Sequence, residues 1–194
     1  DHYVKLAQQK GLRSRAAFKL LELQDRYQLV RPGMTVVDLG AAPGGWCQVV
    51  QPLLGERGRL IALDILPLEP LAGVEFIEGD FTEEEPLRRL EACLQGGAVD
   101  LVLSDMAPNI SGMDAVDQPR AMYLAELAVD FADRVLRPGG DLLVKLFQGE
   151  GVDAWLAGLR RDFRKAQLVK PRASRSQSRE VYAIALEFNG VSSD

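Results

Sequence analysis

Histidine and cysteine are scarce in this chain of 194 residues: the sequence holds one histidine, His2, and two cysteines, Cys47 and Cys93. A single histidine near one end excludes most Ser–His and Cys–His nucleophilic mechanisms, because both need an imidazole within the site. The cysteines have no C-x-x-C spacing, so together with the scarcity of histidine they predict no metal site. Two thiols inside predicted helices are typical of a reducing compartment, which favours the cytoplasm, or an organellar matrix in a eukaryote.

Long hydrophobic runs are also absent, since no apolar stretch approaches the ~18 residues that a membrane-spanning helix needs. The first residues have neither the pattern of a signal peptide nor an initiator methionine. We therefore expect a soluble, trimmed chain without a membrane partner, and nothing in it predicts an obligate dimer, so we expect a monomer. Its length and its 47% of apolar residues suit a single domain over 1–194, with a basic N-terminal segment and helix (1–30), a core (31–189) and a tail (190–194).

Positive charge is in deficit overall, with a formal net charge of −5, but it is concentrated at the two ends of the chain. The basic residues of these ends are Lys5, Lys10, Arg13, Arg15 and Lys19, then Arg160, Arg161, Arg164, Lys165, Lys170, Arg172, Arg175 and Arg179. Local charge rather than net charge decides whether a surface binds phosphates. We predict that Arg13, Arg15, Arg172, Arg175 and Arg179 contact RNA. The alternative is that they only solvate ordinary helix and loop surfaces.

Predicted strands and helices alternate along most of the chain. The predicted strands are Thr35–Leu39, Arg59–Asp64, Val74–Glu78, Val99–Ser104, Asp141–Leu146, Ala166–Val169 and Val181–Phe188. The predicted helices are Arg15–Tyr27, Trp46–Leu54, Glu84–Leu94, Pro119–Leu136 and Val152–Arg161. The predicted fold class is therefore α/β: a Rossmann-like, mostly parallel sheet of seven strands with helices on both faces. Because the polar loop 170–179 contains no crossover helix, we expect the last strand to be antiparallel.

A glycine-rich turn follows the first predicted strand, over Asp38-Leu39-Gly40-Ala41-Ala42-Pro43-Gly44-Gly45-Trp46. A strand that breaks into such a turn and then a helix forms a cradle for a nucleoside cofactor. The glycines at 40, 44 and 45 do not have the G-x-G-x-x-G spacing of dinucleotide sites, and no phosphate-binding lysine follows. The turn therefore indicates an adenosyl cofactor, and a nicotinamide oxidoreductase is a weaker alternative.

Four aspartates, Asp38, Asp64, Asp80 and Asp105, lie at or just after the ends of the first four predicted strands. In an open α/β sheet, ligands bind outside these carboxyl ends. Asp64 is placed to accept hydrogen bonds from a ribose diol, and Asp80 to accept one from an adenine amino group. For any single residue of this set the alternative is a carboxylate that caps the following helix. Four aspartates at equivalent strand ends favour a binding site over four separate caps.

Three motifs resemble the FtsJ family of ribosomal RNA 2′-O-ribose methyltransferases, which use S-adenosyl-L-methionine: the turn 38–46, Ser104-Asp-Met-Ala-Pro-Asn109 and Val144-Lys-Leu-Phe-Gln-Gly149. The resemblance extends from Gly11 to Tyr182. It implies the methyltransferase fold, with S-adenosyl-L-methionine as cofactor and S-adenosyl-L-homocysteine as product. The cofactor-binding residues that it implies are Gly44, Trp46, Asp64, Asp80 and Asp105, to which we add Asp38, Gly40, Gly45 and Phe81.

The resemblance also implies a catalytic tetrad of Lys19, Asp105, Lys145 and Glu180. Methyl transfer to a hydroxyl requires that the oxygen be aligned and its proton removed. Lys145 could accept that proton as a neutral amine, or could stay charged and orient the hydroxyl oxygen. Asp105 would orient Lys145, while Lys19 and Glu180 would have positioning and tethering roles. For Lys19 and Glu180 the alternative is a surface ion pair worth ~0–1 kcal/mol.

Within the family, the resemblance favours the enzymes that methylate a uridine of the peptidyl-transferase A loop in the large ribosomal subunit. The expected partner is ribosomal RNA in the assembled subunit, since the chain has no separate RNA-binding module. A tRNA methyltransferase of the same family is the main alternative. A small-molecule O-methyltransferase would leave the basic ends unexplained, and a noncatalytic RNA-binding factor would not require Lys145 or Asp105.

Overall fold

A seven-stranded sheet with helices on both faces organises the computed structural model, which describes residues 1–190. Four of the five residues of the predicted tail, 191–194, lie outside the described residues. Over the described part, the helices are α1 (His2–Gln9), α2 (Ala16–Tyr27), α3 (Gly45–Leu54), α4 (Glu84–Leu94), α5 (Asp114–Val135) and α6 (Val152–Asp162). The strands are β1 (Thr35–Leu39), β2 (Arg59–Asp64), β3 (Val74–Glu78), β4 (Val99–Ser104), β5 (Leu136–Phe147), β6 (Phe163–Val169) and β7 (Glu180–Phe188).

The strand order is β3-β2-β1-β4-β5-β7-β6. Neighbouring strands from β3 to β5 are parallel, and β7 pairs antiparallel with both β5 and β6. The strand order reverses between β1 and β4, which creates a crevice outside their carboxyl ends. The predicted Rossmann-like α/β fold, including the antiparallel last strand, is confirmed.

Two apolar layers cover the sheet, because successive side chains of a strand point to opposite faces. Val37 of β1 packs into the layer under α4, α5 and α6, whose centre includes the fully buried Phe131. Val36, one residue earlier, packs into the layer under α2 and α3. Full burial of one such aliphatic or aromatic side chain stabilises the fold by ~1.5–3 kcal/mol. The buried central strands therefore give the site a rigid base.

Sequence prediction and structure agree on the bounds of β1 to β4. In the structure β6 begins at Phe163 instead of Ala166 and β7 at Glu180 instead of Val181, and the largest difference is at β5. This strand begins at Leu136 instead of Asp141, because Leu136 already pairs with Val99 of β4. The register then shifts, so that Leu101 pairs with Asp141. The sequence analysis placed Leu136 in the preceding helix, which instead ends one residue earlier, at Val135.

Two helical regions exceed the prediction. The basic N-terminal segment contains α1, which Asp1 caps by accepting a hydrogen bond from the Tyr3 backbone N–H. Helix α5 begins at Asp114, five positions before the predicted start at Pro119. Its first turn carries Asp114 and Asp117, whose negative charge suits a helix N-terminus.

Candidate active site

A cavity of about 620 Å³ opens at the carboxyl ends of β1, β2 and β4, and we call it the strand-end cavity. Its lining includes five of the predicted cofactor-binding residues: Gly40, Asp64, Asp80, Phe81 and Asp105. Its volume lies within the range of small-molecule sites. The sheet topology thus gathers residues from between positions 40 and 124 into one depression.

Gly40 allows two loops of this cavity to approach each other. It has φ +75°, and a Cβ atom there would lie 2.9 Å from the backbone nitrogen of Met106. Any other residue would therefore push apart the loops that follow β1 and β4. The close approach of these two loops therefore requires a glycine at position 40.

Asp64 and Asp80 use part of their hydrogen-bonding capacity to hold the cavity wall. The Asp64 carboxylate accepts from the Ala42 N–H at 2.8 Å and from the Leu66 N–H at 2.9 Å. Asp80 Oδ1 accepts from the N–H and the hydroxyl of Thr82, at 2.9 and 2.7 Å. A carboxylate has about four lone-pair sites, so both residues keep acceptor capacity for the diol and amino groups of an adenosyl ligand.

The remaining predicted cofactor-binding residues lie behind the cavity wall. A Cβ atom at Gly45 would approach Ser14 Oγ to 2.5 Å, and one at Gly44 would approach an Arg13 nitrogen to 3.0 Å. Trp46 is buried, donates its indole N–H to the Ala16 carbonyl at 2.9 Å and packs on Tyr182. These three residues pack the glycine turn against the N-terminal segment, and their contact with a cofactor stays a prediction.

Asp38 also lies behind the turn, fully buried. Its Oδ2 accepts a hydrogen bond from Cys47 Sγ at 3.3 Å. Burial, reinforced by the nearby carboxylates of Asp105 and Asp64, raises the pKa of Asp38 to about 8. Burial and the Asp38 charge also raise the pKa of the Cys47 thiol. Asp38 is therefore a supporting group of the turn, and its predicted contact with a cofactor stays untested.

The four residues of the predicted tetrad meet at the edge of the strand-end cavity. Lys145 Nζ lies 3.4 Å from Asp105 Oδ1 and 3.5 Å from Glu180 Oε1, and Lys19 Nζ lies 3.3 Å from Glu180 Oε2. The sheet register explains this, because β4 pairs with β5 up to Ser104 and β7 begins opposite Phe147. Helix α2 supplies Lys19 from above the same strands. The tetrad therefore joins four elements.

Two cations and two anions share this partly buried site. Side-chain exposure is 10% for both lysines, 16% for Asp105 and 25% for Glu180. Burial favours the neutral form of Glu180, but the ammonium groups of Lys145 and Lys19 outweigh it and hold the pKa of this carboxyl below its usual range. Glu180 is therefore an anion at neutral pH that tethers both lysines.

Tyr182 is a site residue that the sequence reasoning missed. It is fully buried and donates its hydroxyl to Asp105 Oδ1 at 2.7 Å, and burial raises the pKa of the Tyr182 phenol. It pairs with Lys145 across β5 and β7. Since residues two apart on a strand share a face, the position two after Glu180 was the signal that could have identified it.

The predicted RNA-binding arginines divide into two groups. Arg13 and Arg15 are half-buried and donate to backbone carbonyls: Arg13 to Pro43, Glu69 and Pro70 at 3.0, 2.8 and 3.3 Å, Arg15 to Ala173 at 2.9 Å. These two guanidinium groups hold the protein's own loops together. Contact of either with RNA stays a prediction.

Arg172, Arg175 and Arg179 are exposed on the loop between β6 and β7. Glu22 of α2 fixes this loop by accepting from the backbone N–H groups of Arg172 and Ala173, at 2.7 and 3.1 Å. Ala173 also packs against Phe18 of α2. The two basic ends of the sequence therefore do converge in space, and their RNA contacts remain a prediction.

Among residues 1–190, no three His, Cys, Asp or Glu side chains form a group that could hold a metal ion. In that range, too, every helix is too short or too polar to cross a membrane.

Known proteins resemble this chain in both sequence and structure. The family model described as FtsJ-like methyltransferase matches residues 12–188. The ribosomal RNA large subunit methyltransferase E of Alkalilimnicola ehrlichii is 64% identical over 188 residues, which are 97% of this chain and 90% of that relative. A Plasmodium falciparum crystal structure, provisionally described as a ribosomal RNA methyltransferase, has a TM-score of 0.82 at 27% identity, over 92% of this chain and all of that one.

A Clostridium thermocellum crystal structure, provisionally described as an rRNA methylase, has a TM-score of 0.61 at 18% identity over 88% of this chain and 97% of that one, which supports the fold alone. The family match covers every strand of the sheet and all four residues of the tetrad. The chain is thus a methyltransferase, and it belongs to the FtsJ-like methyltransferase family.

Proposed function

We propose that this methyltransferase transfers a methyl group from S-adenosyl-L-methionine to the 2′-hydroxyl of a ribose in large-subunit ribosomal RNA. The observation that carries the proposal is the tetrad of Lys19, Asp105, Lys145 and Glu180, which adjoins the strand-end cavity. A relative that shares 64% of its residues is named a large-subunit ribosomal RNA methyltransferase. We further propose that the acceptor is a uridine of the peptidyl-transferase A loop, in the assembled subunit of the cytoplasm or an organellar matrix.

The strand-end cavity fits the proposed cofactor chemically. Asp64 offers acceptors for a ribose diol, Asp80 offers one for an adenine amino group, and Phe81 supplies an apolar wall. Phe81 is itself held by edge-to-face packing on Phe131, with ring centroids 5.6 Å apart. When bound, S-adenosyl-L-methionine supplies an electrophilic methyl group on its sulfonium sulfur.

The tetrad has the groups that must handle the acceptor hydroxyl. In this proposal Lys145 Nζ contacts the ribose 2′-oxygen. The Lys145 ammonium, which pairs with both carboxylates at rest, first loses a proton to solvent, and the neutral amine then takes the hydroxyl proton. Asp105 and Glu180, both within 3.5 Å of that nitrogen, stabilise the ammonium that forms. Lys19 neutralises the second oxygen of Glu180 and keeps it in place. General-base help of this kind accelerates a reaction by ~10²–10⁴-fold.

RNA binding is supported by the exposed arginines at 172, 175 and 179. Contacts from arginine to phosphate give affinity without reading the sequence. Selection of one nucleotide then depends on the shape of the target, which favours an assembled ribosomal particle over a short oligonucleotide.

The proposal is tested by offering isotopically labelled S-adenosyl-L-methionine with intact large subunits, free ribosomal RNA or tRNA. We expect labelling of the large subunit, at a 2′-O-methyl uridine that mass spectrometry maps to the A loop. Label found only in tRNA would contradict the proposal that ribosomal RNA is the acceptor. Label on a base would contradict the proposal that a ribose hydroxyl is methylated. A thermal-shift comparison tests the cofactor separately: S-adenosyl-L-methionine should raise the Tm, and NAD should not.

A further inference from the structure

A second cavity, of about 290 Å³, lies on the other side of the tetrad, and we call it the Phe147 cavity. Its lining includes Asp114, Asp117, Phe147, Ser178, Arg179 and Glu180. Asp105 lines the strand-end cavity and Glu180 lines this one, and Lys145 Nζ lies within 3.5 Å of a carboxylate oxygen of each. A group bound in the Phe147 cavity would thus approach Lys145 from the side opposite the strand-end cavity.

A flat aromatic face and a guanidinium group form one wall of the Phe147 cavity. Arg179 Cζ lies 6.0 Å from the centroid of the Phe147 ring, within the range of a cation–π contact. Both groups are planar surfaces on which nucleobases stack. The Phe147 side chain is almost fully buried at the end of β5, so its orientation is fixed by the sheet.

The rest of the lining comes from the loop before α5 and from the first turn of that helix, and the Asp117 carboxylate shapes this loop. Asp117 accepts from the backbone N–H and hydroxyl of Ser111, at 2.9 and 2.8 Å, and from the Gly112 N–H at 3.1 Å. Arg179 crosses to this loop and pairs with Asp114 at 3.0 Å. The ion pair holds the guanidinium group over the cavity mouth.

The charges of the Phe147 cavity favour a neutral occupant. Arg179 is paired with Asp114, and Glu180 with Lys145 and Lys19, which leaves the Asp117 carboxylate as the remaining charge of the lining. A phosphate would meet no unpaired cation in this lining and would be repelled by Asp117. The volume is at the lower limit for small-ligand sites, which suits one flat ring and excludes an extended peptide. Ser178 Oγ accepts from the Glu180 N–H at 3.1 Å, and its hydroxyl can donate to a polar ring edge.

We propose that the Phe147 cavity binds the nucleobase of the acceptor nucleotide, stacked on the wall that Phe147 and Arg179 form together, so that its ribose hydroxyl lies at Lys145. This inference rests on the proposed ribose methylation. The target nucleotide must then leave its stack and turn into the protein, as other nucleic-acid bases do when an enzyme acts on them. Arg179 acts here on the base, and phosphate binding falls to Arg172 and Arg175, which precede it in the loop.

The test removes the stacking surface and the base separately. After the acceptor position is mapped with the wild-type protein, subunits are reconstituted with a synthetic RNA segment that carries either the normal nucleotide or an abasic one there. Base stacking on an aromatic side chain is worth roughly 5- to 100-fold. We expect Phe147→Leu to lower kcat/KM by about that factor on normal subunits and to have no effect on abasic ones. Its affinity for S-adenosyl-L-methionine should stay unchanged.

Binding without the methyl donor gives a second readout. Phe147→Leu and Arg179→Ala should weaken the affinity for normal subunits and not for abasic subunits. Phe163→Leu, a core aromatic in β6, controls for lost stability, and Arg164→Ala, whose exposed ion pair with Glu187 is outside the site, controls for lost charge. Both controls should keep wild-type values.

The outcomes separate this inference from the proposed function. If the wild-type protein methylates no RNA ribose, both are overturned. If it methylates RNA but treats normal and abasic subunits alike, or if Phe147→Leu slows both equally, only the nucleobase site is overturned. If Arg179→Ala weakens binding equally to normal and abasic subunits, Arg179 contacts the RNA backbone, and the proposal that it stacks on the base is overturned.

Discussion

The two halves of the active site, the strand-end cavity and the tetrad, are held by different kinds of contact. The cavity is shaped by backbone: Gly40 lets the loops after β1 and β4 approach, and Asp64 fixes its wall through backbone N–H groups. The tetrad is held by side chains, with Lys19 and Glu180 paired across 161 positions of the sequence. We infer that changes in single side chains will affect the tetrad's chemistry far more than the cavity's shape.

The largest expected effect tests whether the two halves are separable. Lys145→Ala removes the group nearest the acceptor hydroxyl but leaves the strand-end cavity intact, so we expect methyl transfer to fall by ~10²–10⁴-fold or more. Affinity for S-adenosyl-L-methionine, measured by calorimetry, should change little. Glu180→Ala, which removes only a tether, should cost less. Equal losses of affinity and rate in Lys145→Ala would contradict a division between the halves.

The second prediction concerns Asp38, which lies behind the cavity wall, and its readout is the pH dependence of the protein's stability. Its folded pKa of about 8 lies above the ~3.9 of an unfolded aspartate, so the folded state binds the proton more tightly. This contribution to stability is complete below about pH 4 and is lost as the pH rises towards 8. Asp38→Asn removes the titration, and its Tm should fall less than the wild-type Tm between about pH 5 and pH 8.

Asp25→Asn, on the exposed face of α2, is the matched control and should follow the wild-type curve. A variant curve parallel to the wild-type one would mean that Asp38 does not bind its proton more tightly in the folded protein. If the Tm of Asp38→Asn fell more steeply than that of the wild type, the folded state would bind the Asp38 proton less tightly than the unfolded state.

Tyr182→Phe tests how strongly the tetrad depends on one hydrogen bond. The change keeps the ring that packs on Trp46 and removes the hydroxyl that Asp105 accepts. Hydrogen bonds to charged groups are worth ~1.5–3 kcal/mol, so we expect kcat to fall by at least about tenfold while the KM for each substrate stays the same. Tyr27→Phe, which removes a hydroxyl that accepts from Gln167 away from the tetrad, should leave kcat unchanged. A lower Tm with normal kcat would reduce Tyr182 to a packing role.

The same two halves differ in how far the sequence predicts them. The bounds of β1 to β4 and the acids at their ends follow from local patterns, because glycine and proline punctuate this part of the chain. Tyr182 was missed because its role depends on antiparallel pairing with Lys145, a contact between distant segments. Trp46 and Gly45 end the glycine-rich turn, but no local pattern shows that Ser14 and Ala16 lie against them. Nonlocal contacts decide which side of the turn such residues face.

The smallest expected effect concerns Arg13, which contacts the cavity half of the site alone. Its guanidinium group donates to Pro43 in the glycine turn and to Glu69 and Pro70 after β2, so it braces two loops of the strand-end cavity. Arg13→Ala should weaken S-adenosyl-L-methionine binding by about fivefold, as expected for ~1 kcal/mol of lost hydrogen bonding, and leave kcat at saturating donor unchanged. Arg15→Ala, whose partner is Ala173 on the basic loop, should instead spare donor affinity. If Arg13→Ala weakens binding to large subunits and spares the donor, Arg13 contacts RNA as the sequence predicts, and the cavity does not depend on its brace.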